Sequence, residues 1–238
     1  NLLTGVYCGD ALTSGTRNTA YGNYALTSED GNGYNVALGY ASLMTLNAGV
    51  DAYNVAVGYE AGAAVSTGVQ NVLIGGKAGD SLTTGNYNVA IGIDALGGED
   101  AHGRNVAIGA NALGNQNAGT DAYNVAVGYQ AGLSVSTGTF NTIVGGVAGD
   151  GLTTGTGNTI MGHDAGDGIT TEDDNTLIGQ GAGNAVTSAE NTFVGRRAGA
   201  SATTGDANVC IGSGSDVSAA AVANEVNIFN GSVTARFQ

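Results

Sequence analysis

The side chains with the clearest chemical potential are the 20 carboxylates, since two of them can act as acid and base in polysaccharide hydrolysis. Most of these acids, however, occupy positions that recur 70 residues further along the chain. The recurring pairs are Asp51 and Asp121, Asp80 and Asp150, and Asp94 and Asp164. A duplicated position is rarely a unique active site. We therefore predict no catalytic residue and a protein that is not an enzyme.

Metal-binding chemistry has weaker support in the sequence. His102 and His163 have no further ligand at the spacing of a metal site. Residues 75–82 partly match the calcium-binding nonapeptide repeat, but they depart from it at the fourth position. The acidic turns at residues 99–100 and 172–174 could hold cations weakly, although solvated charge is the default interpretation. We predict no metal ion and no cofactor.

The tyrosines give the most suggestive pattern for binding. All ten lie at or before Tyr129, and most of them directly precede a repeated Asn or directly follow a repeated Gly. Exposed rows of tyrosine suit stacking on a glycan or docking of a protein. We predict receptor contacts at Tyr53, Tyr59, Tyr123 and Tyr129. The alternative, that these rings pack between coils or across chains, stays open.

These tyrosines flank a pentad, Asn followed by three mostly apolar residues and Gly, that recurs every 16 to 19 residues. Repetition at a nearly fixed short period is typical of repeat architectures. We expect the asparagines to stack in a ladder of amide hydrogen bonds. The pentads begin at Asn18, Asn35, Asn54, Asn71, Asn88, Asn105, Asn124, Asn141, Asn158, Asn175, Asn191 and Asn208.

Each unit is interpreted as two short strands and two turns, with the pentad as one of the strands. Val55 and Val57 then share one face of the strand and Ala56 lies on the other. A unit of about 17 residues cannot bury its own apolar face, whereas stacked units can. We therefore predict an all-β fold, a parallel β-solenoid or β-roll of about 12–13 coils. The first partial unit is assigned to residues 5–9, where Gly5 replaces Asn.

A longer repeat lies over the short one, because residues 35–104 and 105–174 align as a duplicated four-coil cassette. The pentad pattern ends at Gly212. We predict a repeat β-solenoid over residues 1–212 and a C-terminal cap or trimer-contact segment over residues 213–238. Phe229 and Phe237, in the last β segment, are expected to serve this contact.

The composition limits the partners. Six basic against 20 acidic residues give a net charge of −14, which repels nucleic acid and anionic lipid. No run of about 18 apolar residues could span a membrane. Because the chain begins at Asn1 without Met, we expect a fragment or a processed product. Cys8 and Cys210 lie in the first and last units, and we expect them to be buried, unbridged thiols.

The second half of each unit carries small residues. The pairs are Ala61-Gly62, Ala78-Gly79, Ala131-Gly132 and Ala148-Gly149. A ridge almost without side chains allows another backbone to approach closely. We predict that parallel chains pack along this ridge; the stoichiometry of three rests on the resemblance described next.

Segments 75–85 and 85–92 resemble the repeats of bacteriophage tail fibres, especially those of marine phages. They are also similar to the parallel β-roll heads of trimeric autotransporter adhesins, although the adhesin repeat is shorter. Residues 224–238 resemble the segment that precedes the self-cleaving intramolecular chaperone of endosialidase-type tail fibres.

The resemblance implies a homotrimeric, extracellular fibre of the virion tail that attaches to a glycan or protein of a bacterial cell surface. Three alternatives remain: the head of a bacterial trimeric adhesin, a tailspike that depolymerises polysaccharide, and an ice-binding solenoid. The last has the least support, since no long Thr-x-Thr array occurs.

Overall fold

The computed structural model describes residues 1–230 and 233–237, with side chains described for residues 1–228. The chain forms two compact units, Asn1–Tyr123 and Asn124–Gln238. Each unit is a stack of parallel β-solenoid coils, and the described residues contain no helix. The predicted all-β parallel β-solenoid, with about 13 coils of about 17 residues, is confirmed.

Thirteen coils each contribute one three-residue strand, and each strand pairs in parallel with the next strand of its unit. The strands of the first unit are β1 (Leu2–Thr4), β2 (Thr19–Tyr21), β3 (Val36–Leu38), β4 (Val55–Val57), β5 (Val72–Ile74), β6 (Val89–Ile91) and β7 (Val106–Ile108). Those of the second unit are β8 (Val125–Val127), β9 (Thr142–Val144), β10 (Thr159–Met161), β11 (Thr176–Ile178), β12 (Thr192–Val194) and β13 (Val209–Ile211).

Two further strands follow in the second unit. β14 (Val226–Asn230) pairs in parallel with β13 and antiparallel with β15 (Val233–Phe237). The region predicted as a last β segment thus forms a hairpin. The role of residues 213–238 as a cap or trimer contact stays a prediction, and the side chains of Phe229 and Phe237 lie outside the described residues.

Two sequence-based assignments are wrong. The predicted second strand of each unit is a series of turns, as at residues 61–64. Glu60 and Gly62 have φ angles of 55° and 59°, and these left-handed positions interrupt an extended strand. The first unit begins at Asn1 instead of Gly5, since β1 follows Asn1 and the Asn1 Oδ1 accepts a hydrogen bond from the Asn18 N–H at 2.9 Å.

In most coils the space between the strand and the following turn is filled in one of two ways. Where the middle residue of the strand is large, as with Leu73, the turn carries Gly79, on which a Cβ would lie 2.9 Å from Leu73 Cδ2. Where the middle residue is small, as with Ala90, the turn carries Leu96, and both are fully buried. In these coils either the strand or the turn supplies the large side chain at this level, and a further one, such as Leu82 in the coil of Leu73, is buried after the turn.

This packing corrects the predicted contact ridge. Ala61, Ala78, Ala131 and Ala148 are completely buried inside their own coils. The small residues make room for interior side chains, so they present no surface to a sister chain. The first and third residues of most strands face outward and are only half-buried within one chain.

The repeated asparagines are buried and form a column in each unit. In the first unit, Asn54 Oδ1 accepts a hydrogen bond from the Asn71 N–H at 2.9 Å, and Asn54 Nδ2 donates to the Gly68 carbonyl of its own coil at 2.8 Å. The amide–amide contact, Asn71 Nδ2 to Asn54 Oδ1, is longer at 3.3 Å. In the second unit the same backbone N–H to Oδ1 bonds run from Asn124 to Asn208. Each asparagine thus closes one coil and joins it to the next.

Replacing Asn71 with Ala should lower the free energy of unfolding by about 2–5 kcal/mol, because the buried Asn88 N–H and Gly85 carbonyl lose their partners. Chemical denaturation measures this change. Gln70→Ala alters the exposed neighbour and should change stability far less. Equal effects of the two substitutions would contradict this role of the asparagine.

Candidate functional site

One column of exposed side chains stands at the corner before each buried asparagine of the first unit. Here the backbone is left-handed, with φ between 53° and 64°. Because the next residue points inward, the corner residue points outward. We call this set the Asn-flanking column, and it consists of Arg17, Tyr34, Tyr53, Gln70, Tyr87, Arg104 and Tyr123.

Several neighbouring members of the Asn-flanking column contact one another from coil to coil. The Tyr34 and Tyr53 rings stack with centroids 4.6 Å apart. The Arg17 guanidinium lies 5.0 Å from the centroid of Tyr34, and its Nη1 donates a hydrogen bond to the Tyr34 hydroxyl at 2.6 Å. These contacts hold the Tyr34 and Tyr53 rings face to face while leaving Tyr53 49% exposed.

Arg104 organises the other part of the column. Its guanidinium lies 5.4 Å from the ring centroids of both Tyr87 and Tyr123, and it forms an ion pair with Asp121. Cation–π contacts of this kind stabilise exposed rings by about 0.5–1 kcal/mol each. The site therefore combines two half-exposed aromatic faces with a cation and a carboxylate on one surface.

A second column follows the pentad glycines of the first unit. The rings of Tyr7 and Tyr24 stack at 5.3 Å, Tyr24 and Tyr40 meet edge to face at 5.8 Å, and Tyr40 and Tyr59 stack at 5.5 Å. We call these four residues the Gly-flanking column. A hydrogen bond with Glu60 raises the pKa of Tyr59, which keeps this phenol protonated.

The structure separates the tyrosines that were predicted as receptor contacts. Tyr53 and Tyr123 belong to the Asn-flanking column, and Tyr59 belongs to the Gly-flanking column. Tyr129 lies in the second unit and is 58% exposed. The two interpretations of these rings are compatible for Tyr53 and Tyr59, since each stacks on a tyrosine of the preceding coil and keeps about half of its surface in solvent.

Sequence reasoning missed Arg17 and Arg104 as members of the site. Their position in the repeat could have identified them, because each directly precedes a pentad asparagine, as Tyr53 and Tyr123 do. An aromatic face suits the apolar face of a sugar ring, and a guanidinium or carboxylate suits its hydroxyl groups. The Asn-flanking column can therefore bind a glycan or a polar protein surface.

Carboxylates and histidines also meet in the structure. The ligand atoms of Glu99, Asp100 and His102 all lie within 4.8 Å of one another, so the expectation that His102 has no partner at ligand spacing is wrong. His163 and Asp164 are exposed and form an ion pair at 2.8 Å if the imidazole is protonated. Cys8 and Cys210 are not joined by a disulfide. Cys210 is buried as expected, whereas the expectation that Cys8 is buried is wrong, because Cys8 is partly exposed.

No family model, no curated protein and no solved structure matches the chain. Among the described residues, no helix has the length and apolarity needed to cross a membrane.

Burial, and then the nearby Asp167 carboxylate, raise the pKa of Asp150. The folded chain therefore holds this proton more tightly than the unfolded chain, and stability is lost as the pH rises through the raised pKa. Asp150→Asn should raise the melting temperature at pH 7, and the gain should shrink as the pH falls below the usual aspartate range of about 4.

Thermal unfolding at several pH values measures this difference. Glu190→Gln, in the same unit, removes one exposed acid and controls for net charge. A lower melting temperature of Asp150→Asn at pH 7 would contradict the expected penalty.

Proposed function

We propose that this chain is part of a bacteriophage tail fibre, a non-enzymatic homotrimer of the virion that attaches to a glycan or protein of a bacterial surface. The observation that carries the attachment role is the Asn-flanking column, in which stacked tyrosines and two arginines remain exposed on a β-solenoid. The resemblance of segments 75–85 and 85–92 to tail-fibre repeats supports the assignment to a phage.

The chemistry of the column fits attachment. Rings that are already stacked lose little conformational freedom on binding, which lowers the entropic cost of capturing a ligand. The repeat along the coils presents aromatic faces at regular intervals, and a surface polysaccharide also repeats along its length. Several weak contacts at matched spacing give strong overall attachment.

Assembly as a parallel trimer is supported by the outward face of the strands, which replaces the Ala–Gly ridge as the proposed contact. We call the first and third residues of β1–β13 the apolar strand face. It includes 14 residues on β1–β7 of the first unit and 12 residues on β8–β13 of the second unit.

The apolar strand face also avoids the charge of the chain. β1–β13 contain no charged residue, although the chain carries a net charge of −14. Ile74, Met161 and Ile211 on this face are 36%, 43% and 40% exposed. Sister chains that meet here bury apolar surface and keep their acidic turns apart.

A bacterial trimeric adhesin would use the same two surfaces, and an anchor or signal in the full-length gene would distinguish it. A depolymerase would release new reducing ends from host glycan.

Replacing Tyr53 and Tyr123 with Ala should weaken adsorption of the purified chain to host cells by about tenfold or more, because central aromatic contacts contribute about 2 kcal/mol or more each. Binding to intact cells and to isolated surface polysaccharide measures the effect. Val50→Ala, at an exposed position outside both columns, is the control. Unchanged adsorption of the double variant would contradict the site.

Ile74→Glu should shift the chain from trimer to monomer in sedimentation velocity at micromolar concentration, because the substitution buries a charge in the proposed contact. Ile93→Glu adds the same charge at a residue that is 61% exposed and lies outside the strands, and it should leave the trimer intact. A monomeric wild-type chain would contradict assembly altogether.

A further inference from the structure

A turn of the first unit buries a carboxylate. Glu99 occupies the inward position that carries Leu82 in the preceding coil, and its side chain is 0% exposed. Its Oε1 accepts a hydrogen bond from the His102 N–H at 3.0 Å. Its Oε2 is buried and has no hydrogen-bond partner.

An unpartnered buried carboxylate oxygen is costly, because it has lost its water and gained no donor. Native structures tolerate few such groups, and each one calls for a specific explanation. One explanation is a bound cation that supplies the missing positive charge.

The surroundings of Glu99 contain two further ligand groups. His102 Nδ1 is buried without a hydrogen-bond partner and lies 3.7 Å from Glu99 Oε1, too far for a hydrogen bond. Asp100 is exposed and adds a second carboxylate. The three ligand atoms lie within 4.8 Å of one another.

The backbone holds this arrangement in place. The His102 N–H binds Glu99 Oε1, and the His102 carbonyl accepts a hydrogen bond from Asn88 Nδ2 at 3.1 Å. Hydrogen bonds therefore fix both the N–H and the carbonyl group of His102. The His102 side chain is 30% exposed. Solvent reaches the site from the side of Asp100 and His102.

The duplicated architecture provides a natural comparison. Glu29 is also fully buried, its Oε1 accepts from the Asn32 N–H at 3.1 Å, and its Oε2 has no hydrogen-bond partner. The turns at residues 29–33 and 99–103 thus share the buried glutamate and differ in one ligand, since Asn32 stands where His102 does. In both turns the glutamate accepts a hydrogen bond from a backbone N–H of the turn, whereas only the turn at residues 99–103 carries an imidazole.

We propose that Glu99, Asp100 and His102 bind a divalent transition-metal ion, with water completing its coordination. One imidazole nitrogen and two carboxylates suit Zn²⁺ or Mn²⁺ better than Ca²⁺, which prefers oxygen ligands alone. The ion neutralises the buried Glu99 carboxylate and links it to the more exposed ligands Asp100 and His102. The site is independent of receptor attachment and of chain assembly.

The test titrates the metal-free chain with Zn²⁺ by calorimetry and measures thermal unfolding with and without the ion. The wild-type chain should bind one equivalent saturably, and its melting temperature should rise, because a ligand that binds only the folded state stabilises it. Ca²⁺ at the same concentration should not displace Zn²⁺.

Three variants locate the site. His102→Asn copies the turn at residues 29–33, which this chain already folds, and it should abolish the Zn²⁺-dependent rise. Asn32→His should raise the stoichiometry from one to two. His163→Asn removes the exposed imidazole and should change neither measurement. Absence of saturable binding below millimolar Zn²⁺, or undiminished binding by His102→Asn, would overturn the proposal.

Discussion

The fold depends on the asparagine amide that each coil buries. A strand of three residues offers few backbone hydrogen bonds, and the N–H of the residue before it needs a further acceptor. Asn54 Oδ1 supplies that acceptor to Asn71 in the next coil, while Asn54 Nδ2 holds the Gly68 carbonyl of the same coil. Closure of one coil and attachment of the next therefore rely on one side chain. In the second unit the N–H of Glu225 donates to Asn208 Oδ1, but the Glu225 carboxylate cannot donate to a carbonyl of its own coil as an asparagine amide does.

The same constraint positions the candidate receptor site. An inward asparagine forces the preceding residue outward at a left-handed corner, at a cost of about 1–2 kcal/mol for a residue other than glycine. The corner residues of the first unit recover part of this cost by stacking on the coil above or below, as Tyr34 does on Tyr53 and Arg104 does on Tyr123. The exposed Asn-flanking column is thus a direct consequence of the column of buried asparagines.

Much of the fold was predictable, because the pentad period marks both the strands and the asparagines. The side of the strand that faces inward was harder to predict. The large Leu73 lies in the same coil as Gly79, and the small Ala90 lies in the same coil as Leu96. The filling of the interior can therefore be predicted only when the strand and the turn of one coil are compared. Glu99 was predicted to be solvated because it is charged. Its position in the coil, however, is the one that the buried Leu82 occupies in the preceding coil.

These packing rules place different kinds of side chain on the different surfaces of each unit. The large apolar side chains of the interior, such as Leu73, Leu82 and Leu96, are completely buried, so they offer no surface to a partner. The β-branched residues that would fill a wider core instead face outward on uncharged strands, whereas the acids lie outside β1–β13. Along the chain the inward asparagine separates each residue of the Asn-flanking column from the first strand residue, so the proposed assembly face and the proposed attachment column use different side chains. Separate substitutions, of strand residues and of corner residues, can therefore test the proposed assembly and the proposed attachment one at a time.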